Sequence, residues 1–283
     1  MDIILANSTK DERVNQILCG LIGMFETVFP NRISGYYVKG SYSDETGIEA
    51  SDIDITIMFK KFSDHLEQNV AVDLLNNYSQ RSSLELDVDI TDEGKIIRNV
   101  KPNFKLGSFL AYGTDIRDTL PLMLVKDWAR ERMHASYWLI TNLFNRVGEV
   151  SLPLDFPNPE DEFYGYTQRQ LKLATGEEVS CTRDLVRVIG WSATALIALK
   201  GERYVARKKD CHIIYREAIG DTWSDFIEDL YIKCRNDWNY LIPVDNNDRK
   251  KLKDICLRTL EFENYFLKVY KEFLLSELQG SNC

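Results

Sequence analysis

The chain has 283 residues, of which 44% are hydrophobic and 28% are charged, and its formal net charge at pH 7 is -9. This length and composition predict a globular protein of two domains. The negative balance argues against an extended nucleic-acid footprint, which needs clustered lysine and arginine. No apolar run reaches the roughly 18 residues of a membrane span, and no signal peptide is visible. We therefore expect a cytoplasmic protein, as a monomer or a homodimer.

The N-terminal part of the sequence alternates between helical and strand patterns. An apolar stripe predicts a first helix after Asp11, a plausible N-cap. The strands are predicted from runs of β-branched and aromatic residues, or from strict alternation of apolar and polar residues. The predicted helices are 12–29, 63–78 and 122–146, and the predicted strands are 33–39, 52–59, 84–90 and 105–112.

A change in composition predicts a domain boundary near residue 150. Residues 151–162 contain three prolines among acidic residues, as linkers often do. After residue 163 the sequence has only helical patterns, so we predict an α+β protein. Its N-terminal domain, residues 1–150, has a small mixed sheet with flanking helices, and its C-terminal domain, residues 151–283, is an all-α helical bundle. The predicted helices of the bundle are 164–173, 182–199, 208–218, 223–239 and 248–278.

A Gly-Ser pair and an Asp-x-Asp pair carry the most chemical information. Gly40 and Ser41 follow the first predicted strand, where main-chain N–H groups and a hydroxyl can cradle a phosphate. Asp52 and Asp54 open the next strand, and because strand side chains alternate between faces, both carboxylates project together. Mg2+ or Mn2+ binds such carboxylates together with substrate phosphates. We therefore predict a site for a metal-bound nucleoside triphosphate.

The third predicted strand supplies a further acid. Glu85, Asp87 and Asp89 alternate with apolar residues and so share one face. We choose Asp87 as the third metal ligand or the general base because it is central in its strand. Glu85 is the second choice for the base and Asp89 the third.

These residues resemble the signature of the nucleotidyltransferase superfamily that includes DNA polymerase beta, a Gly-Ser followed at moderate spacing by Asp-x-Asp on a strand. Within it the sequence is most similar to the aminoglycoside adenylyltransferases of the streptomycin and spectinomycin type. Two further stretches support this match: residues 112–117 ahead of Leu120-Pro121, and the predicted helix 182–199 followed by the basic run 207–210.

The resemblance implies a role for each domain. Residues 1–150 would be the nucleotidyltransferase catalytic domain, and residues 151–283 a helical domain that clamps substrate and nucleotide. Lys208 or Lys209 would contact the triphosphate, and an acid of the helical domain, for which we choose Asp184, would contact a cationic acceptor.

The expected activity is a metal-dependent transfer of a nucleoside monophosphate, AMP from ATP, to a hydroxyl of a small acceptor. The resemblance favours an aminoglycoside or aminocyclitol antibiotic as that acceptor, and hence a role in antibiotic resistance. Two alternatives stay open. The acceptor could be a protein side chain or a nucleotide, as for an antitoxin-like enzyme, or the chain could be a non-catalytic nucleotide-binding module.

Overall fold

The computed structural model describes residues 2–146, 151–173 and 176–280. The chain forms two compact units, the first made of Met1–Met123 with Ala206–Lys209 and the second of Leu124–Val205 with Asp210–Cys283. This division differs from the boundary predicted near residue 150, because the helix predicted at 122–146 packs on a helix of the second unit. Residues 147–150, at the predicted boundary, lie outside the described residues.

The first unit is built on a four-stranded sheet with helices before and between its strands. The first helix begins where the carboxylate of Asp11 accepts a hydrogen bond from the main-chain N–H of Arg13, as predicted for an N-cap. The elements in chain order are α1 (Glu12–Val28), β1 (Ile33–Val38), α2 (Gly40–Ser43), β2 (Ile53–Phe59), α3 (His65–Ser79), β3 (Leu86–Asp92), α4 (Glu93–Ile96), α5 (Pro102–Lys105) and β4 (Phe109–Gly113).

The sheet has the strand order β3-β2-β1-β4. Strands β2 and β3 pair in parallel, with α3 as the connection, whereas β1 pairs antiparallel with both β2 and β4. One face of the sheet carries the larger core, in which alternate residues of β2, such as Ile53 and Ile55, pack with α1 and α3. The other alternate residues of β2 face the opposite side of the sheet, where Met58 belongs to a smaller core. The alternation predicted for these strands therefore separates an apolar face from the face that carries the acids.

Two predicted strands of this unit are shifted along the chain. The third, predicted at 84–90, is observed at Leu86–Asp92. The fourth, predicted at 105–112, is observed at Phe109–Gly113, because Pro102 starts the helical turn α5, which runs to Lys105.

The second unit is mainly helical, and the predicted α+β class is confirmed. Helix α6 packs along α7, and the guanidinium of Arg132 lies between the rings of Trp128 and Trp191, 4.5 Å from each ring centre. The helices of the unit are α6 (Val125–Asn142), α7 (Arg183–Gly201), α8 (Cys211–Ala218), α9 (Ser224–Leu230), which continues into a π-helix at Tyr231–Asp237, and α10 (Asn246–Gly280). None of the helices in the described ranges is long and apolar enough to cross a bilayer.

The helix predicted at 164–173 is wrong. Strand β5 (Gln170–Lys172) lies there instead and pairs antiparallel with β6 (Glu178–Ser180). Tyr164 and Gly165 both have positive φ angles, which a right-handed helix does not allow. In β5 only the central residue, Leu171, is buried, which is the period of a strand.

A buried ionic cluster stabilises the second unit. The side chain of Glu263 is fully buried and pairs with the guanidinium of Arg146, which is only 7% exposed. The hydroxyl of Tyr166 donates to the same carboxylate over 2.7 Å. Since a buried carboxylate needs such partners, the three side chains depend on one another.

Candidate active site

Gly40 stands at the turn that joins β1 to the short helix α2. Its φ is +63°, a left-handed conformation that glycine adopts without a steric penalty. A Cβ at this position would lie 2.0 Å from Oδ2 of Asp54, so the glycine also makes room for that carboxylate. The half-buried Ser41 follows directly. The predicted Gly-Ser turn therefore lies against the predicted Asp-x-Asp pair.

Three carboxylates from two strands come together beside this turn. Asp52 lies just before β2, Asp54 lies within it, and Asp87 is the residue of β3 that pairs with Asp54 in the parallel register. One carboxylate oxygen from each of the three lies within 4.8 Å of the others. Three hard oxygen donors at this separation fit a divalent cation such as Mg2+, which prefers carboxylates to nitrogen or sulfur ligands.

The electrostatics of the cluster favour a bound cation. Burial, followed by the smaller effect of the negative charges of Asp52 and Asp87, raises the pKa of the Asp54 carboxyl from its ordinary value of 3.8 to about 7. The positive charges of Lys39 and Lys208 act in the opposite direction. Because three carboxylates in one place repel each other, a cation between them stabilises their charged forms.

Three lysines lie near the acids and the turn, and one of them was missed by the sequence analysis. Lys39 is the last residue before Gly40, and its main-chain N–H donates to the carbonyl of Asp54 over 2.8 Å. Its position at the end of a strand, directly before the Gly-Ser pair, is the signal that could have identified it. Lys208 is exposed, whereas Lys209 donates from Nζ to the main-chain oxygen of Asp44 over 2.8 Å.

The remaining candidate residues lie elsewhere. Glu85 and Asp89 are exposed on either side of Asp87, and within the described part of the chain neither joins the group of three acids. Asp184 is buried in the first turn of α7, where its carboxylate pairs with the guanidinium of Arg169 over 3.1 Å. A cationic ligand would therefore have to compete with an existing ion pair at Asp184.

The sheet with its acid cluster, together with the helical second unit, defines a protein of the nucleotidyltransferase fold. The chain is similar in structure to the spectinomycin adenyltransferase AAD(9) from Enterococcus faecialis, whose crystal structure contains ATP and spectinomycin. The TM-score is 0.53 at 14% identity, over 89% of this chain and 98% of that one. This similarity confirms at the level of the fold the resemblance predicted from the sequence.

A second similarity, to a toxin-antitoxin structure with AMP-PNP, has a TM-score of 0.28 at 19% identity, over 46% of this chain and 97% of that one. No protein-family model matches the sequence, and no curated protein matches it.

Proposed function

We propose that this protein is a metal-dependent nucleotidyltransferase that moves AMP from ATP to a hydroxyl of an aminoglycoside or aminocyclitol. The observation that carries the proposal is the convergence of Asp52, Asp54 and Asp87 beside the Gly40 turn. The fold shared with a spectinomycin adenyltransferase supports the same reaction class. The net charge of -9 is compatible with a cationic acceptor.

Asp52, Asp54 and Asp87 would hold the divalent metal, Mg2+ or Mn2+. Their carboxylate oxygens are the only kind of donor in the group, which suits these two ions. Because residue 40 is a glycine, it places no side chain in the space beside Oδ2 of Asp54. When bound, the metal would supply electrostatic stabilisation of the phosphoryl oxygens and of the leaving group.

The triphosphate would lie along the turn and the adjacent lysines. Gly40 and Ser41 offer main-chain N–H groups and a hydroxyl to phosphate oxygens. Of the two lysines considered from the sequence, Lys208 is the better phosphate ligand, because Lys209 is engaged with the carbonyl of Asp44. The charge of Lys208 already acts on Asp54, which is consistent with a place near the metal-bound phosphates.

In the proposed reaction the acceptor hydroxyl transfers its proton to Asp87, or to Glu85 as the alternative base, while its oxygen bonds to the α-phosphorus. The bond from the α-phosphorus to the oxygen bridging to the β-phosphate breaks, and pyrophosphate leaves with that oxygen. Lys208 neutralises part of the charge that develops on the leaving group. The products are the adenylylated acceptor and pyrophosphate.

The second unit, which holds the larger part of the predicted domain 151–283, is proposed to bind the acceptor and to clamp the nucleotide. Asp184 keeps its proposed role as the contact for an amino group of the acceptor. The role requires that this ligand cation replace, or share the carboxylate with, the guanidinium of Arg169.

Mass spectrometry tests the proposal directly. The wild-type protein is incubated with ATP, Mg2+ and either streptomycin or spectinomycin, and the drug is examined for an added adenylyl group. We expect modification with wild type and with Asp73→Asn, an exposed acid on α3, and its loss with Asp52→Asn. If neither drug is modified, a screen of other acceptors with labelled ATP and GTP separates another acceptor from a module that binds nucleotide without turnover.

A further inference from the structure

Residues 206–209 belong to the first unit although they are distant from it in sequence, and they carry Lys208. We infer that Lys209 is a positioning residue that holds Lys208 beside the phosphate-binding turn, together with a close contact between Ala206 and Gly107. This inference rests on the proposed function, since it assigns Lys208 to the triphosphate. It concerns a separate question, which is how a lysine so far along the chain is kept in place.

The first attachment is a close contact between two main chains. A Cβ at Gly107 would lie 2.5 Å from the carbonyl oxygen of Ala206 and 2.8 Å from that of Asn103. Only a glycine at residue 107 therefore lets the loop before β4 approach the main chain of residue 206 this closely. The contact fixes the main chain two residues before Lys208.

The loop at Gly107 is itself tied to the phosphate-binding turn. The hydroxyl of Ser43, the last residue of α2, lies 2.7 Å from the carbonyl of Gly107 and 2.7 Å from the carbonyl of Gly40. The hydroxyl has a single proton, which the two carbonyls share, and it thereby bridges the loop and the glycine that borders the acid cluster. Through this connection the position of Ala206 is set relative to Gly40.

The second attachment is the hydrogen bond from Lys209 to Asp44. Nζ of Lys209 donates to the main-chain oxygen of Asp44, the residue after α2, over 2.8 Å. Asp44 is buried, and its carboxylate accepts hydrogen bonds from the hydroxyl and the main-chain N–H of Thr46. The acceptor carbonyl therefore belongs to a fixed loop, which makes it a firm anchor for the lysine.

The two attachments bracket Arg207 and Lys208. Ala206 is held on one side and Lys209 on the other, and both partners connect to the turn Gly40–Ser43. The side chain of Lys208 is exposed, whereas its main chain is held on both sides by these attachments. Because less freedom is lost when a fixed lysine meets a phosphate, this arrangement raises the affinity for the nucleotide.

Hydrogen exchange tests the attachment without any nucleotide. We compare wild type, Lys209→Met and Lys209→Arg, with Lys60→Met as a control at an exposed lysine of the same unit. Exchange in a peptide covering residues 203–212 is expected to be faster in Lys209→Met, and to return toward wild type in Lys209→Arg, which restores a donor. Unchanged exchange in Lys209→Met would overturn the inference, whether or not the protein is an enzyme.

A double-mutant cycle tests whether Lys209 acts through Lys208. Lys209→Met is expected to raise the Kd for Mg-ATP about fivefold to tenfold, as the loss of one hydrogen bond would. In the background of Lys208→Met the same change should have almost no further effect, because the residue being positioned is already absent. Equal effects in both backgrounds would mean that Lys209 contacts phosphate directly, which overturns the positioning role.

Failure of the proposed function has a different signature. If wild type binds no nucleotide with Mg2+, the proposed function is lost, while the exchange experiment still decides whether Lys209 holds residues 206–209. If wild type binds Mg-ATP and Lys208→Met weakens it but Lys209→Met does not, only the positioning role fails.

Discussion

Gly40 and Asp54 are in such close contact that residue 40 has no room for a side chain. A methyl group there would stand 2.0 Å from Oδ2 of Asp54, well inside van der Waals contact. Residue 40 also has a positive φ. Two separate constraints, the main-chain conformation and the nearby carboxylate, therefore both require a glycine here.

Gly40→Ala is expected to weaken metal and nucleotide binding, because the new methyl group displaces the Asp54 carboxylate. Isothermal titration with Mn2+ should show an affinity at least about tenfold lower, which corresponds to about 1.4 kcal/mol. The left-handed main chain should add a loss of about 1 kcal/mol in the free energy of unfolding. Gly190→Ala is the matched control, since a Cβ there meets nothing within 4 Å. Unchanged Mn2+ binding in Gly40→Ala would contradict the close contact.

The pKa of Asp54 gives a prediction for the metal-free protein. Because burial raises this pKa to about 7, the folded chain holds a proton between about pH 4 and pH 7 that the unfolded chain has lost. The free energy of unfolding therefore falls as the pH rises through this window. Asp54→Asn removes the effect and is expected to stabilise the metal-free protein at pH 8 by about 4 kcal/mol, with little change at pH 4.

Urea unfolding in the presence of a chelator measures this difference. Asp52→Asn, which removes a neighbouring charge, should show the same trend more weakly, because repulsion by Asp52 is a smaller cause of the shift than burial. Equal stabilities of wild type and Asp54→Asn at both pH values would be evidence against a raised pKa.

The acids of β3 separate into one that joins the cluster and two that do not. Asp87→Asn is expected to lower Mn2+ affinity at least about tenfold, since an amide oxygen is a weaker ligand than a carboxylate. Asp89→Asn is the matched control, two residues along the same face, and should change the affinity by less than about twofold. An equal loss of affinity in both variants would mean that Mn2+ is attracted by the overall negative charge of the strand and is not bound by Asp87 in particular.

Arg146→Met is expected to destabilise the second unit by about 3 kcal/mol at pH 8, because it leaves the carboxylate of Glu263 buried without its cation. The loss should be smaller at pH 5, where the folded variant can bind a proton at Glu263 and so avoid the buried charge. Thermal unfolding at the two pH values measures it. Adding Glu263→Gln to Arg146→Met should recover part of the stability, and a double variant less stable than Arg146→Met would refute this explanation.

Local rules predict which side of each strand the acids of the cluster share, but not how the strands are aligned. Alternation alone puts Asp52 and Asp54 on one side of β2 and Asp87 on one side of β3. Choosing Asp87 over Glu85 and Asp89 depended only on its central place in the strand, whereas the register, in which Asp54 pairs with Asp87, is set by how two distant segments pack. The roles of these acids as metal ligands and base remain predictions.

Features that depend on distant neighbours escaped the sequence analysis. Strands β5 and β6 have three residues each, too few for a period of two to be visible. The amphipathic pattern of α6 predicts a helix but does not say that its apolar stripe packs on α7, so the boundary predicted near residue 150 differs from the division of the two compact units after Met123. Lys39 has no repeating pattern of its own, and only its position directly before the Gly-Ser pair indicates it.

The parallel pairing of β2 with β3 links the alignment of the acid cluster to the burial of the core. A slip of one residue between these strands would turn Leu86 and Val88 toward water and bury the acids among the side chains of α1 and α3. The shifted register is unfavourable even without a ligand, because it exposes apolar side chains to water and buries carboxylates. Burial of the apolar face therefore also keeps Asp54 aligned with Asp87, and mutations that loosen α3 should disturb the acid cluster before they unfold the sheet.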